Sequence, residues 1–435
     1  MIERRLTRFD FMLFSNISED DLIINSEFRK GGILYYDVSS LNRGIRCTNC
    51  GTYHTSVKEY ITKKITHFIY LSDPCVIIFH HRRFICPKCK KTHMDVNPFG
   101  EEKQKVSDKT IENILSLLKR YNVPFRQAAE MANVSVTEVM KIFDRYCQMK
   151  RNTFTQVMCF DEIYFSRKRK KKYVLVIINF FNRAIIDVLK DRDKTTIASY
   201  LRRIDRKERE RVLYVCIDMN DNYREVLRRY FPNAFIVADS FHVVKHIAKA
   251  MDEVRKKVMR RFEADPKGDE YYLLKYRDEL LYRKDDLSAK MRYNHHFRIE
   301  MSEFELLEKM KHIDPELNKA YELYQEYVRF NNTRYSDPVE CMNDLNEVIN
   351  DYRISDIIQF QKAAVTLKQW SSEIVNSFAE YRGKRVSNGP MEGRNSLAKK
   401  ILRIANGYSN FSRFRNRIIY SLNKFATHSF KRETE

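Results

Sequence analysis

The pattern of hydrophobic and polar positions divides the chain into four stretches. Residues 1–105 are rich in β-branched and aromatic residues, the composition of strands. Residues 106–150 turn helical: IENILSLLKRY and FRQAAEMANVSVTEVMKIFDRY repeat apolar side chains at spacings of three and four. From 154 to 240 the signal alternates. VMCFDEIYF, YVLVIINF and RAIIDVLKD read as three consecutive strands, followed by helix TTIASYLRRI, strand RVLYVCIDMN, helix NYREVLRRYF and strand AFIVAD. That order predicts one mixed sheet flanked by helices. Beyond about residue 241, long charged amphipathic segments predict helix almost to the end, with no convincing strand. The sheet is therefore expected to stop at Asp239, with a long helical stretch before Glu392. Only 10 Gly and 9 Pro are spread over 435 residues, which argues against flexible linkers.

Charge narrows the partner. The chain holds 80 Lys and Arg against 58 Asp and Glu, a formal net charge of +22. A field of that sign favours a polyanion through steering and counterion release. Nucleic acid is the first expectation and an anionic membrane surface the second. No run of about 18 apolar residues is present, the minimum for a spanning helix. The opening MIERRLTRFDFMLF lacks the apolar stretch and small-residue cleavage site of an export signal. The expected setting is cytoplasmic and nucleoid-associated, with no membrane partner. Nine cysteines, an odd number with four in tight pairs, fit a reducing compartment and a metal site better than a disulfide framework.

Those pairs are Cys47-Thr-Asn-Cys50 and Cys86-Pro-Lys-Cys89. Two such turns supply four soft ligands at the corners of a tetrahedron, as one structural Zn2+ requires. The stretch between them is long enough to need a strand pair of its own. Arg82, Arg83, Lys88, Lys90 and Lys91 crowd the second knuckle and suit phosphate contact. His54, His80, His81 and His93 are read as surface histidines, available as substitute ligands, and Cys75 as core. Farther on, Phe125–Ala132 predicts a short helix, Asn133–Ser135 a turn, and Val136–Tyr146 a second helix capped by Ser135. The alanine pair in the first helix allows close packing of the second. This predicts a helix-turn-helix, with Thr137, Glu138 and Lys141 facing a DNA major groove; an ordinary packing hairpin is the competing reading.

Asp161, in Cys-Phe-Asp-Glu, and Asp218, in Val-Cys-Ile-Asp-Met-Asn, each end a predicted strand, at the sheet edge where α/β proteins bind ligands. If those strands are neighbours, the two carboxylates share one space and need a cation or a proton between them. Hard oxygen ligands select Mg2+ or Mn2+. Glu392 is the third candidate, in the first turn of a helix opened by Gly389-Pro390. Asn395, Ser396, Lys399 and Arg403 recur at helical spacing behind it, a predicted line of phosphate binders. Taken singly, an Asp after a strand is more often a turn or cap residue, so only the set carries weight.

Together these segments resemble the DDE transposases of bacterial insertion sequences, in particular the ISL-three family. The likeness follows chain order: paired cysteine knuckles, the helical hairpin, FDE at 160–162, IDMND at 217–221, FPNAFIVADSFHVVKH at 231–246, SNGPMEGRN at 387–395 and NGYSNFSRFRNRI at 406–418. It implies a multidomain α+β protein in which a ribonuclease-H-like α/β core is interrupted by a large all-helical insertion. The implied domains are a zinc-binding DNA-binding domain over 1–105, a helix-turn-helix over 106–150, the core over 151–244, the insertion over 245–386, and C-terminal core helices over 387–435. Asp161, Asp218 and Glu392 become a triad holding two Mg2+ or Mn2+ ions, for cleavage of DNA ends at terminal inverted repeats and joining of 3′-hydroxyls to target DNA. Asp239 and His242 look like the Asp-x-x-His element of related eukaryotic transposases, where the histidine lies near the scissile phosphate. The alternative there is a strand-end Asp capping its helix. Pairing two DNA ends implies a homodimer on DNA.

Two features stand outside that scheme. Arg167, Lys168 and Arg169 begin a basic run to Lys172 in the hairpin after Asp161, read either as a DNA-phosphate clamp or as a solvated turn. Trp370, the only tryptophan, is expected to pack with Phe360, Val365 and Leu367, or else to stack on an unpaired base. A regulator without catalysis, or a nuclease that cuts without joining, would share much of this sequence.

Overall fold

The computed structural model describes residues 22–41, 43–68, 74–166 and 170–429. Its residues divide into two compact units, one taking the described residues up to Lys150 and those from Leu397 onward, the other Arg151–Ser396.

The first unit opens with a sheet. β1 (Leu22–Lys30) and β2 (Ile33–Ser40) form a hairpin whose two-residue turn, Gly31-Gly32, has φ of 59° and 76°. Positive φ at both turn positions is the geometry that matches strand twist, and glycine adopts it without a Cβ clash. Two short strands, β3 (Ile45–Arg46) and β4 (Tyr53–His54), pair around the first cysteine turn. β5 (Val57–Phe68) and β6 (Pro74–Ile85) are the long antiparallel pair expected between the knuckles, and β7 (Thr92–Met94) pairs with β6 beyond the second. The sheet order is β1-β2-β6-β5. Along β6 the alternate residues Cys75, Ile77 and Phe79 are fully buried, as a sheet covered on one face demands.

Helices follow: α1 (Asp108–Lys119), capped by Ser107, then α2 (Phe125–Met131) and α3 (Val136–Tyr146). Ser135 caps α3, its Oγ accepting from Glu138 N at 3.1 Å, as the sequence predicts. Ala128 and Ala129 are buried in the core shared by these helices. The C-terminal helix Phe411–Leu422 also joins that core through Tyr420. Arg417, fully buried on it, donates to the Val123 and Arg120 carbonyls at 2.7 and 3.0 Å, and Lys119 Nζ donates to the Tyr420 and Asn423 carbonyls, both at 2.8 Å. The sequence assigned all of 387–435 to the catalytic core; from Leu397 onward the chain belongs instead to the unit that holds the helical hairpin. Buried cation–carbonyl bonds between residues so far apart in the chain leave no periodic signal.

The second unit is built on a five-stranded sheet of order β10-β9-β8-β11-β12. β8 (Val157–Tyr164), β9 (Tyr173–Asn179) and β10 (Ile185–Leu189) form an antiparallel meander. β11 (Tyr214–Ile217) and β12 (Phe235–Ala238) then add in parallel on the other side of β8. Their crossovers carry α4 (Lys194–Arg202), α5 (Arg206–Glu210, not foreseen) and α6 (Asp221–Tyr230). α7 (Ser240–Met259) leaves β12 and leads into a helical block. That block contains α8 (Asp269–Tyr276), α9 (Glu303–Ile313), α10 (Pro315–Asn332), α11 (Pro338–Ile354), α12 (Ile358–Gln369) and α13 (Ser371–Asn376). α10 and α11 each begin with Pro behind a capping Asp, the arrangement in which a missing N–H costs nothing.

Three expectations change here. The block is not free of strands: β13 (Arg292–Asn294) pairs with β14 (Ile299–Met301), and β15 (Glu380–Tyr381) with β16 (Lys384–Arg385). Two- and three-residue strands are too short to show a period. Nor is the block a body apart, since one continuous apolar cluster runs from Met158 and Phe160 of the sheet through Val254, Leu317 and Tyr352 to Val375, and position 244/245 falls inside α7. Trp370 ends α12 and is 2% exposed, with the Arg224 guanidinium 4.4 Å above its ring. Phe360 and Leu367 are buried with it, whereas Val365 faces solvent. Base stacking by Trp370 is not open to it in this position.

Candidate functional site

Parallel pairing of β8 with β11 runs from Val157↔Tyr214 to Cys159↔Cys216, and Asp161 lies two residues beyond its end. β8 itself continues to Tyr164 because the antiparallel β9 still pairs with it, Asp161 opposite Val176. Asp161 therefore sits within its strand, not at the end as the sequence suggested. Asp218 directly follows β11 and Asp239 directly follows β12. Three adjacent parallel strands thus deliver three aspartates to one edge of the sheet. Strand alternation turns Glu162 away from its neighbour; it is held by Asn220 Nδ2 at 3.2 Å and by Tyr223 and Arg192.

His242, in the first turn of α7, has Nδ1 at 2.9 Å from Asp218 Oδ1 and 2.8 Å from Asp239 Oδ2. One ligand atom from each of Asp218, Asp239 and His242 lies within 4.8 Å of the others, spacing suited to a cation. Asp239 stands at the N-cap position of α7, but its carboxylate makes no cap bond to its own helix. It accepts instead from His242 and, through Oδ1, from Asn388 N at 3.0 Å. Hydrogen bonds to Asp218 and Asp239 raise His242 to about 10, so the imidazole is a cation wedged between carboxylates. Burial, and then the charge of Asp218, push Asp161 up to about 7.

The other wall is the segment entering α14 (Gly389–Ile404). Asn388, buried, places Nδ2 at 3.3 Å from Asp218 Oδ1 and 3.4 Å from the Phe160 carbonyl. Asn395, also buried, donates from Nδ2 to Asp161. Both Oδ1 atoms are buried without a partner among the described residues, each at a cost of about 1–3 kcal/mol. Asn388 was not foreseen; its place just before a Gly-Pro helix start reads as a cap. Asn395 was expected among exposed phosphate binders and instead faces Asp161. Glu392 lies in the first turn of α14, three residues before Asn395, exposed and without a hydrogen bond or ion pair to any described residue. The structure therefore gathers Asp161, Asp218, Asp239 and His242, and leaves the Glu392 carboxylate outside their contacts.

A sequence-family model for transposases of the ISL-three DDE type matches residues 158–418, more than half of the chain. The chain belongs to this transposase family. A transposase for insertion sequence element IS1001 of Bordetella parapertussis is 22% identical over 246 residues, which cover 54% of this chain and 59% of that relative. The family match takes in every residue of the carboxylate cluster and both asparagines, as well as Glu392.

The four paired cysteines, which precede the matched stretch, also come together. Cys47 Sγ and Cys89 Sγ are 3.5 Å apart, as are Cys50 Sγ and Cys86 Sγ. All four sulfurs lie within 4.8 Å of one another, dimensions that fit a tetrahedron with metal–sulfur bonds of about 2.3 Å. The Thr52 hydroxyl, 3.3 Å away, lowers the Cys50 thiol to about 6, and the Lys91 backbone N–H lowers Cys89, both favouring thiolate. The flanking histidines are not on the surface. His54 and His81 are buried, and His80 and His93 half-buried, His80 beside Asp37 at 2.9 Å. Cys75 is buried, as expected.

On α3, Thr137 and Lys141 are exposed and Glu138 half-exposed. Lys399 and Arg403 are exposed, in the part of α14 that belongs to the first unit. Arg167, Lys168 and Arg169 lie outside the described residues. Of the rest of that run, Lys171 is paired with Asp191 at 3.0 Å and with Asp193, while Lys170 and Lys172 are exposed. No helix among the described residues is long and apolar enough to cross a membrane.

Proposed function

We propose that the protein is an active transposase that binds the terminal inverted repeats of its insertion sequence, cleaves the DNA ends and joins the 3′-hydroxyls to target DNA. The observation that carries this reading is the convergence of Asp161, Asp218 and Asp239 with His242 at one sheet edge. The strand order 3-2-1-4-5, with the second strand antiparallel, supports a ribonuclease-H-like core.

Two Mg2+ or Mn2+ ions suit this site. The ligands are hard oxygens, burial and then the charge of Asp218 lift Asp161 and a cation would offset both, and two buried carboxamide oxygens lack partners among the described residues. Asp161, Asp218 and Glu392 would hold them, with Glu392 contributed by the first turn of α14. Bound there, such ions supply Lewis acidity toward phosphoryl oxygens and activate the attacking oxygen. The chain's own part is positional and electrostatic. β8 and β11 fix Asp161 and Asp218 on a rigid frame. Asp239 orients the His242 ring, whose positive charge at the mouth of the cluster attracts the scissile phosphate.

The Cys47–Cys50–Cys86–Cys89 cluster is read as one structural Zn2+ site, and α2–α3 as a helix-turn-helix presenting Thr137, Glu138 and Lys141 to DNA. Lys399 and Arg403 are read as further phosphate contacts. The protein works as a homodimer on paired ends, associated with the nucleoid. The test is incubation of the purified full chain with labelled terminal DNA, target DNA and Mn2+, mapping nicks and joined products. Nicks with strand transfer are expected. Nicks without joined products would reduce the protein to a nuclease, and binding without nicks to a regulator.

A further inference from the structure

Asn388 and Asn395 bracket Glu392, and between them the segment 388–395 touches one aspartate from each of three neighbouring strands: Asp239, Asp218 and Asp161. We propose that these two carboxamides are positioning residues of the metal centre. They aim the Asp218 and Asp161 carboxylates and turn their own carbonyl oxygens to the same cation site. This rests on the metal-centre reading above.

The chemistry of the surroundings restricts what could do this job. The Phe160 carbonyl and the three carboxylates are all acceptors, so only a donor can hold them. A Lys or Arg donor would neutralise the negative charge that must attract the cation. An acidic side chain would add a further negative charge beside carboxylates already gathered at one sheet edge. A carboxamide donates without charge from its nitrogen and brings, on a separate atom, an oxygen free to accept, whereas a hydroxyl must do both from one atom. In Asn388 and Asn395 that oxygen is buried and unpartnered. Buried polar atoms left in that state call for an explanation, and a hard cation is the partner that an amide oxygen accepts. The backbone adds a third anchor, Asn388 N to Asp239 Oδ1. Because Glu392 lies within one turn of Asn395, the same hydrogen bonds fix the helix start that carries it.

The test uses the full-length chain with its zinc site loaded, and Mn2+ alone as the probe, titrated by calorimetry and by the electron paramagnetic resonance of free ion. Asn388→Leu and Asn395→Leu keep the volume and remove both donor and acceptor. Each is expected to bind Mn2+ about 10–100-fold more weakly. In cleavage assays each should raise the Mn2+ concentration for half-maximal rate far more than it lowers the rate at saturating Mn2+. Melting temperature and DNA binding should stay close to wild type. If a leucine variant melts early, Asn388→Ala and Asn395→Ala carry the comparison. Mn2+ affinity within twofold of wild type in well-folded variants, with Asp161→Asn losing it, would overturn the clasp alone. Wild-type Mn2+ affinity in Asp161→Asn would overturn the metal-centre reading and the clasp with it.

Discussion

At the scale of single residues the decisive quantity is the charge of the carboxylate cluster. Asp161→Asn, Asp218→Asn and Glu392→Gln are each expected to abolish end cleavage, a loss of at least about 10³-fold, while terminal DNA is still bound. Electrophoretic binding and cleavage assays on one preparation check this, and a variant that cleaves normally removes its residue from the ligand set. The cluster also makes stability depend on pH. Asp161 holds its proton up to about 7 in the fold against 3.8 in the free chain, so the metal-free fold is destabilised as pH rises between those values. His242, raised from 6.5 to about 10, contributes stability that is complete below 6.5 and lost as pH climbs toward 10. Both effects slope the same way. The melting temperature without added Mg2+ or Mn2+ should fall from pH 6.5 to 9, and His242→Gln should flatten that fall. Added Mn2+ should raise the melting temperature more at pH 8 than at pH 6, since binding requires Asp161 to give up its proton. A pH-independent gain would exclude Asp161 from the ligands.

At the scale of elements, two parts of the chain fail differently. The first cysteine knuckle sits between two strands of two residues each, and the second joins the end of β6 to the three-residue β7, so neither turn has much sheet of its own to hold it. Cys47→Ser or Cys86→Ser should abolish one zinc per chain by elemental analysis and expose the two cysteine turns to proteolysis, because metal binding there would be folding energy. Correctly folded wild-type protein without zinc would end that reading. In the helical block, Trp370 fills the core where α12 meets α13, and beside it Glu373, fully buried, is paired with Arg228 and Arg224. Trp370→Ala should cost about 3–5 kcal/mol in urea or thermal unfolding. Cleavage should decline equally on fully duplex ends and on ends with flanking bases already unpaired. A selective loss on duplex ends, without loss of stability, would contradict the buried position.

For the molecule as a whole, the net charge of +22 predicts that the proposed binding to DNA weakens steeply with salt. The basic hairpin is only partly available for that role, since Lys171 is held by Asp191 and Asp193. Replacing Arg167, Lys168 and Arg169 with Gln tests the rest. A phosphate clamp predicts a shallower log–log salt slope, by about 0.9 for each phosphate no longer neutralised. An unchanged slope assigns the run to solvent.

The amino-acid order was enough to locate the strands of the sheet region and its helices other than α5, the two cysteine turns and the Ser135 cap, because each depends on neighbours within a few positions. It also marked Asp161 and Asp218, since a polar residue after an apolar strand stands out locally. Which carboxylates meet was settled by tertiary packing. Asp161 lies inside β8 because β9 extends the pairing, a matter of register and not of composition. Asp239 joins the cluster because β12 lies beside β11, and Asn388 and Asn395 reach it from 149 and 234 positions away along the chain. The transfer of residues 397–429 to the hairpin unit, and the single core shared by sheet and helical block, rest on long-range packing of the same kind. Periodicity reports which face of an element is apolar. It does not report which other element covers that face, because burial against any complementary surface satisfies the same pattern.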